Sequence, residues 1–152
     1  MISYGYRHIL KQSTIDGCEC PVFNLHISYL PYNRGAHPNF WSFYENTPSG
    51  VTIHLIDSGI DTGPIVLQKY INFKQADDTF VKTYAVLIKS MEDLFLEFIP
   101  SLLNDTWTAK KQRGKGTLHY VKDLPSNFSG WNAKIVDELE RLDNEGLKYE
   151  NK

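Results

Sequence analysis

Apolar positions repeat with two different periods along the chain. Pro21-Val22-Phe23-Asn24-Leu25-His26 is short and nearly all apolar, the pattern of a strand in a sheet covered on both faces. Residues 51–56 alternate and are rich in β-branched side chains, which predicts a second strand. Residues 65–73 predict a third, with Ile65, Leu67, Ile71 and Phe73 on one face, and Ile2-Ser3-Tyr4-Gly5 a short one entering a turn. Helical spacing appears in Phe80, Tyr84, Leu87, Met91, Leu94, Phe98 and Leu102. Asp77 and Asp78, just before Thr79, are candidate caps for that helix, and Pro100 is the place for it to bend or end. Pro38 suits the first position of another helix, running to about Asn46. Residues 6–11 read as a brief helical segment, 14–17 as a turn, and 137–147 as a last short helix. Residues 148–152 are charged and expected to fray.

Strands alternating with helices predict an α/β sheet of about four strands. Such sheets bind ligands beyond the carboxyl ends of their strands. That directs attention to the polar loops after His26 and after Ile56. The 152 residues are 41% apolar and 22% charged, enough for one soluble domain with a real core. A net charge of -2 gives no general attraction to nucleic acid or an anionic membrane. No apolar run is long enough to span a bilayer. Residues 1–10 do not read as a secretory leader, so a cytoplasmic location is expected. Cys18 and Cys20 are too closely spaced for a relaxed disulfide and read as reduced thiols. Neither they nor His8, His37 and His119 show the spacing of a metal site.

The chemistry sits on strand ends. Asn24 and His26, two apart, share a face. An amide N–H can donate to a developing oxyanion, and an imidazole can donate or move a proton near neutral pH. Asp61, in the loop Asp57-Ser58-Gly59-Ile60-Asp61-Thr62-Gly63-Pro64, could order a water or accept a proton. The trio fits acyl transfer to an amine without a metal. On residue types alone, Asn-x-His also arises by chance, and a strand-end histidine is as readily a hydrogen-bonding residue as a catalytic one. His54 reads as a satisfied sheet histidine, and residues 110–116 as a solvated basic loop.

Four ordered blocks sharpen this: Asn24-Leu25-His26-Ile27-Ser28-Tyr29-Leu30-Pro31, Arg34-Gly35-Ala36, Val51-Thr52-Ile53-His54, and residues 57–65. Together they resemble the folate-dependent formyltransferase family, over roughly residues 2–103. The resemblance implies a Rossmann-like sheet with flanking helices and 10-formyltetrahydrofolate as donor. It makes Asn24, His26 and Asp61 the catalytic residues. Tyr4, Gly5, Tyr6, Ile56, Asp57, Gly59 and Ile60 would lie beside the pterin. Residues 32–43 and 114–120 are most similar to the branch acting on nucleotide-linked amino sugars. Tyr29, Arg34 and Trp41 are then the candidate acceptor contacts, packing being an equal alternative for the aromatics.

Members of that family carry a nucleotide-fold half ahead of the segment matching Ile2. The resemblance therefore implies an N-terminally truncated, partial sheet: residues 1–104 as the C-terminal part of the catalytic domain and 105–152 as a polar extension. It also implies an open sheet edge that invites pairing, with a homodimer or a complementing N-terminal chain as partner. Two rival readings are a methionyl-tRNA formyltransferase-like enzyme, which the net charge disfavours, and a non-catalytic remnant that binds folate or a partner chain.

Overall fold

The computed structural model describes residues 1–6, 8–73 and 78–145. A four-stranded mixed sheet is ordered β1 (Ile2–Tyr4), β2 (Phe23–His26), β4 (Gly50–Leu55), β5 (Ile65–Tyr70). β1 runs parallel to β2, whereas β2/β4 and β4/β5 are antiparallel. Between β1 and β2 lies α1 (Gln12–Asp16). Between β2 and β4 lie the two-residue β3 (Arg34–Gly35) and α2 (Pro38–Tyr44). After β5 come α3 (Phe80–Leu103), β6 (Leu118–His119), a 3-10 turn at Val121–Asp123 and α4 (Ile135–Asn144).

Period-two alternation in β2 and β4 sends Phe23, Leu25, Val51 and Ile53 to one face. There they meet Leu87, Met91, Leu94 and Phe98 of α3. A second core, Phe40, Trp41, Phe80, Ile135 and Leu142, joins α2, the start of α3 and α4. Residues beyond 104 are part of this packing. β6 pairs in parallel with β3, and Ile65 and Lys110 bridge β5 to the tail. Gly35 adopts φ +82, and a Cβ there would come within 2.3 Å of the His119 carbonyl. Only glycine allows this close approach. Under it, His119 Nε2 and Glu45 Oε1 form a buried pair at 3.0 Å.

Several sequence expectations shift. The first helix occupies Gln12–Asp16, over much of the predicted turn, and residues 6 and 8–11 are not helical. Lys11 supplies the carbonyl that Thr14 and Ile15 N–H groups bond, which starts the helix after residue 11. β5 stops at Tyr70, although Ile71 and Phe73 still pack on the core. Pro100 lies inside α3 and does not end it. It sits on the exposed side of the last turns, near Leu96, where a lost backbone hydrogen bond is open to water. Thr83 takes the buried position predicted for Tyr84, which is 47% exposed. Thr79 caps α3 without a side-chain hydrogen bond, and Asp77 lies outside the described residues. The last helix spans Ile135–Asn144, and the predicted end at Leu147 lies outside the described residues. Among the described residues no helix is long and apolar enough to cross a membrane.

Candidate active site

The second face of β2 and β4 carries Asn24, His26, Thr52 and His54. Register places Asn24 opposite His54 and His26 opposite Thr52. A register irregularity between Ile53 and His54, against β5, falls where the site begins. Bulges of this kind re-aim a side chain. Asp61 reaches the same face from the loop after β4. It holds φ +51, a left-handed conformation uncommon outside glycine.

Asp61 is the hub. Its Oδ1 accepts a hydrogen bond from Asn24 Nδ2 at 3.0 Å and lies 3.3 Å from His54 Nε2. Its Oδ2 accepts from the Gly35 N–H at 2.9 Å and lies 3.6 Å from His26 Nδ1. Burial alone would raise its pKa. The His26 and His54 rings and the Gly35 N–H outweigh that, holding it well below the ordinary carboxylate range, so Asp61 is ionised at neutral pH. The loop is pinned from the tail: Gln112 Nε2 donates to the carbonyls of Asp61 and Gly63, both at 2.8 Å.

The two histidines differ. His26 is 8% exposed, and its Nε2 donates to the Asn33 carbonyl at 3.1 Å. Burial lowers its pKa more than nearby Asp61 raises it, so the ring is neutral near pH 7. His54 Nδ1 donates to the Leu55 carbonyl at 2.7 Å, leaving Nε2 to face Asn24 Nδ2 at 3.3 Å and Asp61. An amide nitrogen only donates, so a neutral His54 accepts from Asn24.

These groups floor an open cleft of about 980 Å³. Asn24, His54 and Asp61 line it, whereas His26 stands behind Asp61. One wall is Ser3, Gly5 and Tyr6; Ile56, Asp57, Gly59 and Ile60 also line the cleft. Gly5 has φ +65 and open space where a Cβ would project. Asp57 shapes its own loop, accepting from the Gly59 N–H at 3.0 Å and the Thr62 hydroxyl at 2.5 Å.

Residues 1–99 match the family model described as Formyl transferase. The chain belongs to the formyl transferase family. It is 32% identical over 124 residues to dTDP-4-amino-4,6-dideoxyglucose formyltransferase of Mycobacterium tuberculosis, a match covering 82% of this chain and 52% of the relative. It thus spans about half the length of that curated relative. A methionyl-tRNA formyltransferase of Thermodesulfovibrio yellowstonii is 34% identical, over 76% of this chain and 38% of its own. Among solved structures, the formyltransferase PseJ from Anoxybacillus kamchatkensis superposes with a TM-score of 0.83 and 41% identity. That match covers 91% of this chain and 74% of PseJ, whose structure holds tetrahydrofolate and a UDP-linked 4,6-dideoxy-4-formamido sugar.

The remaining candidates separate cleanly. Tyr4 pairs in register with Leu25, on the α3 face, and Ser3 takes its place in the cleft. Trp41 is fully buried and stacks on His119 at 3.9 Å, so it is core and not an acceptor contact. Tyr29 packs edge-on against Tyr70 at 5.8 Å, away from the cleft lining. Arg34 donates to Gln112 Oε1 at 2.7 Å and 3.2 Å, fixing its loop through an amide. Reading residue by residue missed His54 and Gln112. His54 follows the same alternation that exposed Asn24 and His26, so its face was readable. Gln112 acts across a long sequence separation, and no local pattern marks it.

Proposed function

We propose that this chain carries the reaction centre of an N-formyltransferase that moves a formyl group from 10-formyltetrahydrofolate to the amine of a nucleotide-linked amino sugar. The observation that carries the reading is the Asn24–Asp61 hydrogen bond on the floor of a cleft with two separate walls. The left-handed Gly5 with its open Cβ position and the self-bonded loop at Asp57 suit a flat ring held by backbone groups. The bound tetrahydrofolate of PseJ, and a sugar 3N-formyltransferase structure with dTDP and 5-N-formyl-THF, support the same two ligand classes.

The donor supplies the formyl carbon. The acceptor nitrogen bonds to that carbon, the bond from carbon to the folate N10 breaks, and the amine proton finishes on N10. Asn24 Nδ2 keeps one N–H on Asp61, and the other, which faces His54 Nε2 in the structure, turns from that ring to the formyl oxygen as negative charge develops there. Asp61, ionised, draws the acceptor amine into place. His26, neutral and 3.6 Å behind Asp61, takes up the amine proton by way of the carboxylate or a water it holds, is balanced as an imidazolium by Asp61, and returns the proton by the same route to N10 as the carbon–N10 bond breaks.

The test is formyl transfer by the full chain from 10-formyltetrahydrofolate to a panel of dTDP- and UDP-linked amino sugars, with methionyl-tRNA as a parallel acceptor. N-formylated nucleotide sugar is the expected product. Formylation of the tRNA alone, or of no acceptor, would overturn the reading.

A further inference from the structure

The tail reaches the reaction centre without entering the cleft. Gln112 lies past residue 99, where the match to the family model stops, and neither it nor Arg34 lines the cleft. Yet Gln112 Nε2 donates to the carbonyls of Asp61 and Gly63, both at 2.8 Å. Its Oε1 accepts from Arg34 Nη2 at 2.7 Å and Nε at 3.2 Å. An amide NH2 carries two hydrogens, and both are used here. Turning the amide over would set its oxygen against two carbonyls and its N–H groups against a guanidinium, so only one orientation bonds. Reciprocal backbone bonds of 2.8 Å between Lys110 and Ile65 place this stretch of the tail beside the Asp61 loop.

Asp61 needs such a hold. Its φ of +51 persists in a residue with a side chain only where the surroundings over-determine it. Other restraints act on the two ends of the loop. The Gly59 N–H and the Thr62 hydroxyl bond Asp57, and Gly63 is wedged onto β4, where a Cβ would lie 1.8 Å from the Leu55 carbonyl. Gln112 acts between them, on the Asp61 carbonyl itself. Its other arm reaches Arg34, the residue before Gly35, whose N–H bonds Asp61 Oδ2 at 2.9 Å. One amide thus ties the Asp61 backbone to the strand that carries a donor for its carboxylate.

We propose that Gln112 is a positioning residue for formyl transfer, holding the Asp61 turn so that Oδ1 stays on Asn24 Nδ2 and Oδ2 on the Gly35 N–H. Its effect on turnover rests on the reading in the preceding section. Asn24 Nδ2 lies 3.0 Å from Asp61 Oδ1, so a carboxylate that drifts takes the oxyanion donor out of line. A misplacement of about 1 Å can cost about 10²-fold in rate. The β1 wall of the cleft and the self-bonded Asp57 end of the loop are held by other contacts, so the loss falls on kcat and leaves KM for the folate in place.

Two variants separate the arms. Gln112→Glu keeps an acceptor for Arg34 and sets an oxygen against the two carbonyls; Gln112→Met, similar in length, removes both arms. The full chain is assayed with 10-formyltetrahydrofolate and whichever dTDP- or UDP-linked amino sugar the wild type turns over best. In both variants kcat is expected to fall about 10- to 100-fold, with KM for the folate within about threefold of wild type. Amide exchange supplies a readout that needs no turnover. In β3 the Arg34 and Ala36 N–H groups bond the Thr117 and His119 carbonyls, whereas the Gly35 N–H between them bonds Asp61. Exchange followed by NMR should speed up about tenfold or more at Gly35 in Gln112→Glu, with Arg34 and Ala36 as protected as before. Equal loss at all three amides would mean that Gln112 only holds the tail against β3 and would overturn the proposal. So would unchanged exchange at Gly35, or a kcat within about threefold of wild type in Gln112→Glu. If the wild-type chain formylates no acceptor, the reading in the preceding section falls, and exchange at Gly35 alone decides whether Gln112 positions Asp61.

Discussion

The two faces of β2 and β4 are built from the same strands and buried to similar degrees, yet they do opposite things. Phe23, Leu25, Val51 and Ile53 are at most 7% exposed and meet apolar side chains of α3 and its neighbours. Thr52 and His54 on the other face are at most 1% exposed and meet hydrogen-bond partners. Burial by itself therefore does not mark the site. What marks it is polar burial in which each group is held by another: Asn24 and Gly35 on Asp61, Thr52 on Ser28, His26 on Asn33. The apolar face holds the sheet together, and the polar face spends part of that stability on fixed charge and fixed dipoles.

Breaking the apolar face should produce the largest effect. Phe23 packs edge-on against Phe98 at 5.4 Å and Trp107 at 5.1 Å. Phe23→Ala is expected to lower unfolding free energy by about 3–5 kcal/mol, read by urea denaturation. Turnover per folded molecule should hold. If turnover fell while stability was unchanged, the separation of the faces would be wrong.

Next comes the polar face. Asn24→Ala removes the donor aimed at the developing oxyanion and should lower kcat by about 10²–10³-fold. Circular dichroism should report an intact fold. A loss of less than tenfold would move the oxyanion role elsewhere, with His54 the next group to test.

The contrast was partly legible from the chain. Alternation in residues 51–56 and the nearly all-apolar run 21–26 located both strands, and the two-residue spacing put Asn24 and His26 on one face. The same spacing between Thr52 and His54 gave their face equally well. Whether His54 met water, backbone or a carboxylate depended on the loop carrying Asp61, which arrives from a different part of the chain. Trp41 misled for the converse reason. Its place in residues 32–43, which resemble the nucleotide-sugar branch, suggested an acceptor contact, but α2 turns it inward onto His119, a residue 78 positions along the chain and brought near by β6 pairing with β3. The short helix at 12–16 was hidden because it buries no residue and so leaves no apolar pattern.

A smaller effect should follow at Thr52, which belongs to the polar face but touches no reacting group. Its hydroxyl donates to the Ser28 carbonyl at 2.7 Å and accepts from Leu30 N–H at 3.3 Å and Gln68 Nε2 at 2.9 Å. Thr52→Val keeps the shape and strands those partners, costing about 1–3 kcal/mol of stability. KM and kcat should be nearly unchanged. A larger kinetic than thermodynamic effect would mean that the polar face works as one catalytic unit rather than as a site with a supporting end.

The gentlest probe is pH. His26 has its pKa lowered by burial, against the pull of Asp61. Unfolded, the ring takes up a proton below about pH 6.5, whereas the folded ring resists it. The stability that His26 contributes is therefore complete above about pH 6.5 and is lost as pH falls toward the folded value, by at most about 1.4 kcal/mol per pH unit. Asp61, also lowered, contributes stability that is complete above about pH 3.9 and is lost only as pH falls below that. Urea unfolding across this range should show two separate slopes, and His26→Asn should flatten the upper one while leaving the lower in place. Since His26 must be neutral to receive the amine proton, kcat should fall on the acid side of neutrality with the upper slope, and the substitution should remove that limb. An upper slope that survives in His26→Asn would assign the proton to another buried group and detach His26 from the charge balance of Asp61.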